Sequence, residues 1–181
     1  ERRQDEGEGR GELVEGNVHF ALFSMEHEGY ADIEAISFIC DPIMLIAPAN
    51  HPWAARGEIE PEELLQADFI MRESDSGTFS ALRDALAKHN ISTGDLNILI
   101  TLGNAEAIAL AVQEGIGVGF ISQMVIDRLC KGKVAEVRVR DLNICREIYI
   151  GRNHRRPATG AQTAFWNFLT TLQREALELS E

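Results

Sequence analysis

Long hydrophobic runs are missing from this chain of 181 residues. No apolar stretch approaches the roughly 20 residues a helix needs to span a bilayer, which excludes an integral helical membrane protein. Basic charge is scarce: 17 Lys and Arg stand against 29 Asp and Glu, a formal net charge of -12. That excess argues against nucleic acid or an acidic membrane held by the surface at large, so any DNA contact requires another segment. Cysteine is scarce too. Cys40, Cys130 and Cys145 are an odd number, widely spaced, each inside an apolar run, and are expected as buried thiols in a reducing cytoplasm. The five histidines, His19, His27, His51, His89 and His154, show no metal-ligand spacing, and no histidine or acid is placed by sequence to activate a serine. No catalytic residue, metal or cofactor is expected. Residues 1–10 carry no signal-peptide hydrophobic region, although a mature or shortened chain would lack one as well.

What is present is an ordinary globular composition, 45% apolar, enough for one domain or two small lobes with proper cores. The glycine-bearing, charged residues 1–16 make a stable helix doubtful. Val18 to Phe23 reads as a short strand ending at Ser24-Met25, before a polar loop over residues 26–29. Ile36, Phe38 and Cys40 alternate with their neighbours, Asp41-Pro42 interrupts, and Ile43 to Ala47 resumes, which predicts two strands joined by a turn. Pro61 suits the first turn of a helix through Leu65.

From residue 69 to 132 the pattern alternates strand and helix: Phe69-Ile70-Met71, a helix from Phe79 to His89, a buried strand from Leu96 to Leu102, a helix from Ala105 through Glu114, the glycine-bearing strand Ile116 to Ile121, and a helix capped by Ser122. Short connections and this alternation predict a parallel, doubly wound α/β sheet. Gly117 and Gly119 remove side chains where a neighbouring helix or a ligand must approach closely. Two short strands follow, near 134–139 and 144–150. Thr159 and Gln162 then have capping-box spacing before a terminal helix with the apolar stripe Phe165, Phe168, Leu169, Leu172 and Ala176.

Ligands of such sheets bind beyond the carboxyl ends of the strands. Here those ends are Glu73 to Thr78, Gly103-Asn104 and Ile121-Ser122. The stretch Arg72-Glu73-Ser74-Asp75-Ser76-Gly77-Thr78 opens a helix whose first N–H groups lie at the positive end of the dipole and can hold an anion. Ser, Asp and Thr are also ordinary helix caps, so each of these residues has a plain structural reading beside the functional one. Arg72 and Arg146 are read as partners of nearby carboxylates such as Glu73 or Glu147.

Six short motifs in order resemble the effector-binding domain of the LysR-type transcriptional regulators. They are Gly16 to Leu22, His51-Pro52-Trp53-Ala54, Phe69 to Glu73 with Ser76-Gly77-Thr78, Leu102 to Ile108, Val112 to Ser122, and Arg146 to Ile150. His19 stands where that family usually has an aspartate. The resemblance implies two Rossmann-like lobes of the type 2 periplasmic-binding-protein fold with a cleft between them. It places lobe one at 1–68, lobe two at 69–148 and a return to lobe one at 149–181. It also implies that lobe one lacks its first strand and helix, and that a winged helix-turn-helix lies outside this sequence.

The implied function is to bind a small anionic metabolite in the cleft and to alter dimer or tetramer geometry, in the cytoplasm and without membrane contact. The residues placed to line the site are Ser74, Ser76, Gly77, Thr78, Asn104, Phe120 and Ser122 from lobe two and Ser24 from lobe one. An extracytoplasmic solute-binding protein, or a small-molecule enzyme on the same scaffold, are the other readings.

Overall fold

The computed structural model describes residues 6–24 and 31–178. In chain order the elements are α1 (Glu6–Glu15), β1 (Ala21–Ser24), β2 (Ile33–Pro48), α2 (Pro52–Arg56), β3 (Glu58–Ile59), β4 (Asp68–Arg72), α3 (Gly77–Ala87), β5 (Asn97–Leu102), α4 (Ala105–Gln113), β6 (Val118–Ser122), α5 (Gln123–Val125), β7 (Val134–Val139), β8 (Ile144–Asn153) and α6 (Gly160–Glu178). Short 3-10 turns lie at Pro61–Gln66 and Thr93–Asp95, and a π turn over Ile126–Cys130 continues α5. Two compact units result: unit 1 is Glu1–Cys40 with Glu147–Glu181, and unit 2 is Asp41–Arg146. Among the described residues no helix is long and apolar enough to cross a membrane.

Unit 2 carries the predicted parallel arrangement. Its strands run β2-β6-β4-β5, with β4 parallel to both β5 and β6 and β2 antiparallel to β6 and β7. Successive side chains of a strand point to opposite faces, and β4 shows the consequence. Phe69 and Met71 join Leu82 and Leu86 of α3 in one core, while Ile70 joins Ile108 and Val112 of α4 in the other. The sheet is therefore covered on both faces. The two glycines of the β6 segment serve this packing: a Cβ at Gly117 would lie 2.6 Å from the Asp68 carbonyl oxygen, and one at Gly119 2.7 Å from Ile108. The close approach is to β4 and α4.

Several expectations are corrected. The first division of the chain falls between Cys40 and Asp41 rather than at 68/69, and the second between Arg146 and Glu147 rather than at 148/149. The reason is packing, since Ile43, Leu45, Trp53, Ile59 and Leu64 share a core with Phe69 and Phe120. Asp41-Pro42 is not a turn. β2 continues through it, because Ile43 to Ile46 pair with Ser122 to Gly119 and Leu45 to Pro48 with Val137 to Val134. Pro42, which has no N–H to donate, lies just outside both paired segments. β5 is not buried: it forms the end of the sheet order and exposes Ile98, Leu99 and Ile100.

In unit 1, β1 pairs antiparallel with β8, Leu22 opposite Ile150. The doubtful first helix forms as α1 because tertiary contacts complete it. Leu13 is fully buried, Gly16 takes φ +81°, and the N–H groups of Gly16 and Asn17 both donate to the Glu12 carbonyl at 2.9 Å, closing the C-terminus as glycine in the left-handed region allows. Arg156 Nη2 caps the same end, donating to the carbonyls of Val14 and Glu15 at 3.0 and 2.6 Å. The Thr159–Gln162 capping box forms as expected. The buried face of α6, however, is Trp166 and Leu169, while Phe165, Phe168 and Leu172 are exposed. Trp166 wins because it stacks on Phe20 at 6.1 Å and carries the Arg152 guanidinium 4.5 Å from its ring centre. The polar loop at 26–29 and the side chain of Ala176 lie outside the described residues. Of the cysteines, only Cys130 is a buried thiol, with burial pushing its pKa up. Cys40 is exposed, and Cys40 and Cys145 are disulfide-bonded.

His51 caps α2, its Nδ1 accepting the Trp53 N–H at 3.2 Å, and burial lowers its pKa from 6.5. An imidazole that accepts at Nδ1 must be unprotonated there. The unfolded chain then binds a proton more readily than the folded one, so this contribution to stability is present above about pH 6.5 and is lost as pH falls towards the folded pKa. In urea titrations at pH 8 and pH 6, the wild type should lose more stability on acidification than His51→Ser, which keeps a capping oxygen but does not titrate. Equal losses would remove His51 from the account.

Candidate functional site

Strand β4 ends at Arg72, whose Nε and Nη2 donate to the two carboxylate oxygens of Glu73 at 2.8 and 2.7 Å. That bidentate pair, the arrangement a planar guanidinium favours, holds the Glu73 carboxyl below the usual carboxylate range. The chain then turns, Ser76 N–H donating to the Glu73 carbonyl at 3.1 Å. Ser76 is the N-cap of α3 and its Oγ accepts the Phe79 N–H at 3.1 Å. Capping satisfies one of the four N–H groups a helix start leaves without an internal partner. The Ser80 N–H reaches the Ser76 carbonyl, and the Thr78 N–H has no helical acceptor. Thr78 is 4% exposed and Ser80 6%.

Ser80 is the residue that sequence reasoning missed. Its Oγ is buried and meets no hydrogen-bond partner among the described residues. Helical spacing puts Ser80 on the side of Ser76 and Gly77, away from the Leu82 and Leu86 face that packs on the sheet. A hydroxyl buried without a partner is costly, about 1–3 kcal/mol. Its signal in the sequence was a serine one turn past a cap, within a helix whose other buried side chains are largely apolar.

The second helix start is built the same way: Asn104 Oδ1 accepts the Ala107 N–H at 2.7 Å, capping α4. The parallel registers set Arg72 opposite Leu102 and Ile70 opposite Gly119. The caps that follow β4, β5 and β6 therefore share one edge of unit 2, as expected for Ser76, Gly77, Thr78, Asn104 and Ser122.

The structure separates the remaining candidates by what their side chains already do. Ser122 is buried, its Oγ accepting the Met124 N–H at 3.1 Å and donating to Asp41 Oδ1 at 2.7 Å. Its hydroxyl is spent. Phe120 lies in the core, stacked parallel on Phe69 at 6.0 Å. Ser74 is exposed in the turn, and Ser24 ends β1 in unit 1. Arg146 pairs through Nη2 with Asp41 Oδ2 at 2.7 Å, a partner its sequence neighbours did not suggest, because Asp41 reads as a turn residue.

Asp41 is 1% exposed, and a buried carboxylate stripped of its cation is strongly destabilising. Arg146→Met should therefore lower unfolding stability by about 3–5 kcal/mol, and Ser122→Ala by about 1–2 kcal/mol, both read as shifts in the urea midpoint at constant slope. A change below the scatter of the measurement in both would show the network to be idle.

The family model described as LysR substrate binding domain matches residues 4–174. The chain is 34% identical over 160 residues to an uncharacterized HTH-type transcriptional regulator of Methanocaldococcus jannaschii, covering 82% of this chain and 54% of the relative. It is 29% identical over 145 residues to a probable RuBisCO transcriptional regulator of Thalassiosira pseudonana, covering 78% and 47%. The chain thus spans about half the length of the curated relatives it matches. Among solved structures, the Synechocystis PCC6803 CcmR regulatory domain in complex with 2-PG superposes with a TM-score of 0.77 at 23% identity, covering 94% of this chain and 80% of that one. The effector binding domain of QuiR in complex with shikimate gives 0.76 at 18%, covering 92% and 77%. These likenesses confirm the α/β fold of the type 2 periplasmic-binding-protein class. A match that runs through both units, with a regulator 34% identical over most of the chain, shows that this chain belongs to the LysR substrate-binding domain family.

Proposed function

We propose that this chain is the effector-sensing part of a LysR-type transcriptional regulator, and that a small anionic metabolite binds at the N-terminal ends of α3 and α4 in unit 2. The observation that carries the reading is the buried Ser80 hydroxyl, which has no partner among the described residues, one turn below a helix start whose Thr78 N–H precedes the first internal acceptor. Two helix dipoles converge there on one sheet edge, and N–H and O–H donors suit an anion. Ser74, Ser76, Gly77, Thr78 and Asn104 make the contacts, with Ser80 added. Ser122 and Phe120 act by holding the edge in shape.

The effector would bind two arrangements of the domain unequally and so shift their populations. A winged helix-turn-helix elsewhere in the full-length regulator would carry the change to DNA in the cytoplasm. The relatives' names favour a sensor over a transporter's solute-binding protein or an enzyme.

The compounds to try first are 2-PG and shikimate, in a thermal-shift assay, because a ligand of the folded state alone must raise the melting temperature. For whichever compound binds, Ser80→Ala and Ser80→Val should each weaken it by about tenfold or more, the loss of one hydrogen bond to a charged group. Unchanged affinity in both variants would refute the proposed cradle.

A second copy of the chain is the proposed partner for β5, where Ile98, Leu99 and Ile100 are exposed on an edge strand, a surface that invites pairing. Sedimentation should show a wild-type dimer and a monomeric Leu99→Lys variant. A variant that still dimerises would place the interface elsewhere.

A further inference from the structure

A phosphate dianion held by a protein is ordinarily met by Arg or Lys, and the edge where α3 and α4 begin is poor in both. Residues 90–127, which contain β5, α4, β6 and α5, hold no Lys, Arg or His. On the α3 side, Lys88 is the C-cap at the far end of the helix, and Arg83 pairs with Asp84. Arg146 is paired with Asp41, which also accepts from Ser122.

Arg72 is the cation best placed to meet a ligand. It ends β4 opposite Leu102 at the end of β5, and its side chain is only 15% exposed. Its Nε and Nη2 nevertheless donate to both carboxylate oxygens of the adjacent Glu73, so the pair presents a dipole where a lone arginine would present a charge. The other ionised side chains at the two helix starts are acidic and exposed: Asp75 in the turn before α3 and Glu106 in the first turn of α4. The donors that remain are neutral. They are the Thr78 amide, the Ser80 hydroxyl, the O–H of Ser76 and Nδ2 of Asn104, whose oxygens alone serve in capping. Each helix start adds roughly half a unit of positive charge. Two starts balance one negative charge and leave a second one uncompensated.

We infer, on the reading of this edge as the effector site, that Glu73 sets the charge of the ligand: by neutralising Arg72 it makes the edge selective for a singly charged carboxylate over a phosphate dianion. Glu73 acts as a specificity determinant through Arg72, without contact of its own with the ligand.

The test is an NMR titration of the whole chain at pH 7.5 and matched ionic strength with glycerate and, separately, glycerol 3-phosphate. Both carry two hydroxyls, and they differ in bearing a carboxylate or a phosphate of charge about -2. Saturable shifts are expected at the Gly77, Thr78 and Ser80 amides, with glycerate bound at least about tenfold more tightly than glycerol 3-phosphate. Glu73→Gln keeps an oxygen acceptor for Arg72 and removes the compensating charge. It should tighten glycerate by about threefold and glycerol 3-phosphate by about tenfold, because a dianion gains twice the electrostatic free energy of a monoanion. Glu106→Gln, which leaves the Arg72 pair intact, should shift both affinities in the same direction. Glycerol 3-phosphate bound as tightly as glycerate by the wild type, or a preference for glycerate unchanged in both variants, would overturn the inference and leave the effector site standing. No saturable shift at these amides with either compound, in wild type and variants alike, would remove the site and the inference with it.

Discussion

A carboxylate buried to 1% exposure is costly without partners, and among the described residues Asp41 has the Arg146 guanidinium and the Ser122 hydroxyl, each at 2.7 Å. Much of unit 2 depends on that constraint. The chain enters the unit at Asp41 and leaves it at Arg146, so one ion pair ties together the first and last residues of a segment more than a hundred residues long. The Ser122 contact extends the tie to the end of β6, in register with Ile43 opposite Ser122. Desolvation offsets most of what such a pair gains. Its effect is to specify which strand lies beside which, since Asp41 alone would be a buried carboxylate without a compensating charge.

The same constraint bears on the ligand site. A hydroxyl has one proton to donate, and Ser122 gives it to Asp41 while its lone pair caps α5. Ser76 and Asn104 are likewise committed as caps through their side-chain oxygens. Capping and anion binding compete for side chains but not for all the amides at a helix start. What remains for the proposed ligand is the Thr78 amide, the Ser80 hydroxyl, and the O–H of Ser76 and Nδ2 of Asn104, whose oxygens alone serve in capping. The caps orient the helix ends, and in the proposed site the uncapped donors are the ones left to meet an anion.

Legibility followed the range of the interaction. The strand–helix alternation of residues 69–132, the glycines at 117 and 119, the caps Ser76, Asn104 and Ser122 and the Thr159–Gln162 box were all readable, because each is fixed within about four residues or by side-chain periodicity. Asp41-Pro42 misled because its local preference is for a turn, and what overrides it sits 105 residues away at Arg146. α1 shows the same limit, since the Arg156 side chain that caps its C-terminus comes from the other end of the chain. On α6, periodicity alone cannot tell that Phe20 and Arg152 select Trp166.

By itself the sequence determined a doubly wound α/β arrangement and the edge of the sheet on which its helix starts gather. These follow from local propensity, spacing and composition. Tertiary structure alone decided where the chain divides, which strand lies at the open edge, and which polar side chains near the helix starts are already spent. Those outcomes depend on pairings between residues far apart in the chain, where burial makes every hydrogen bond either satisfied or costly.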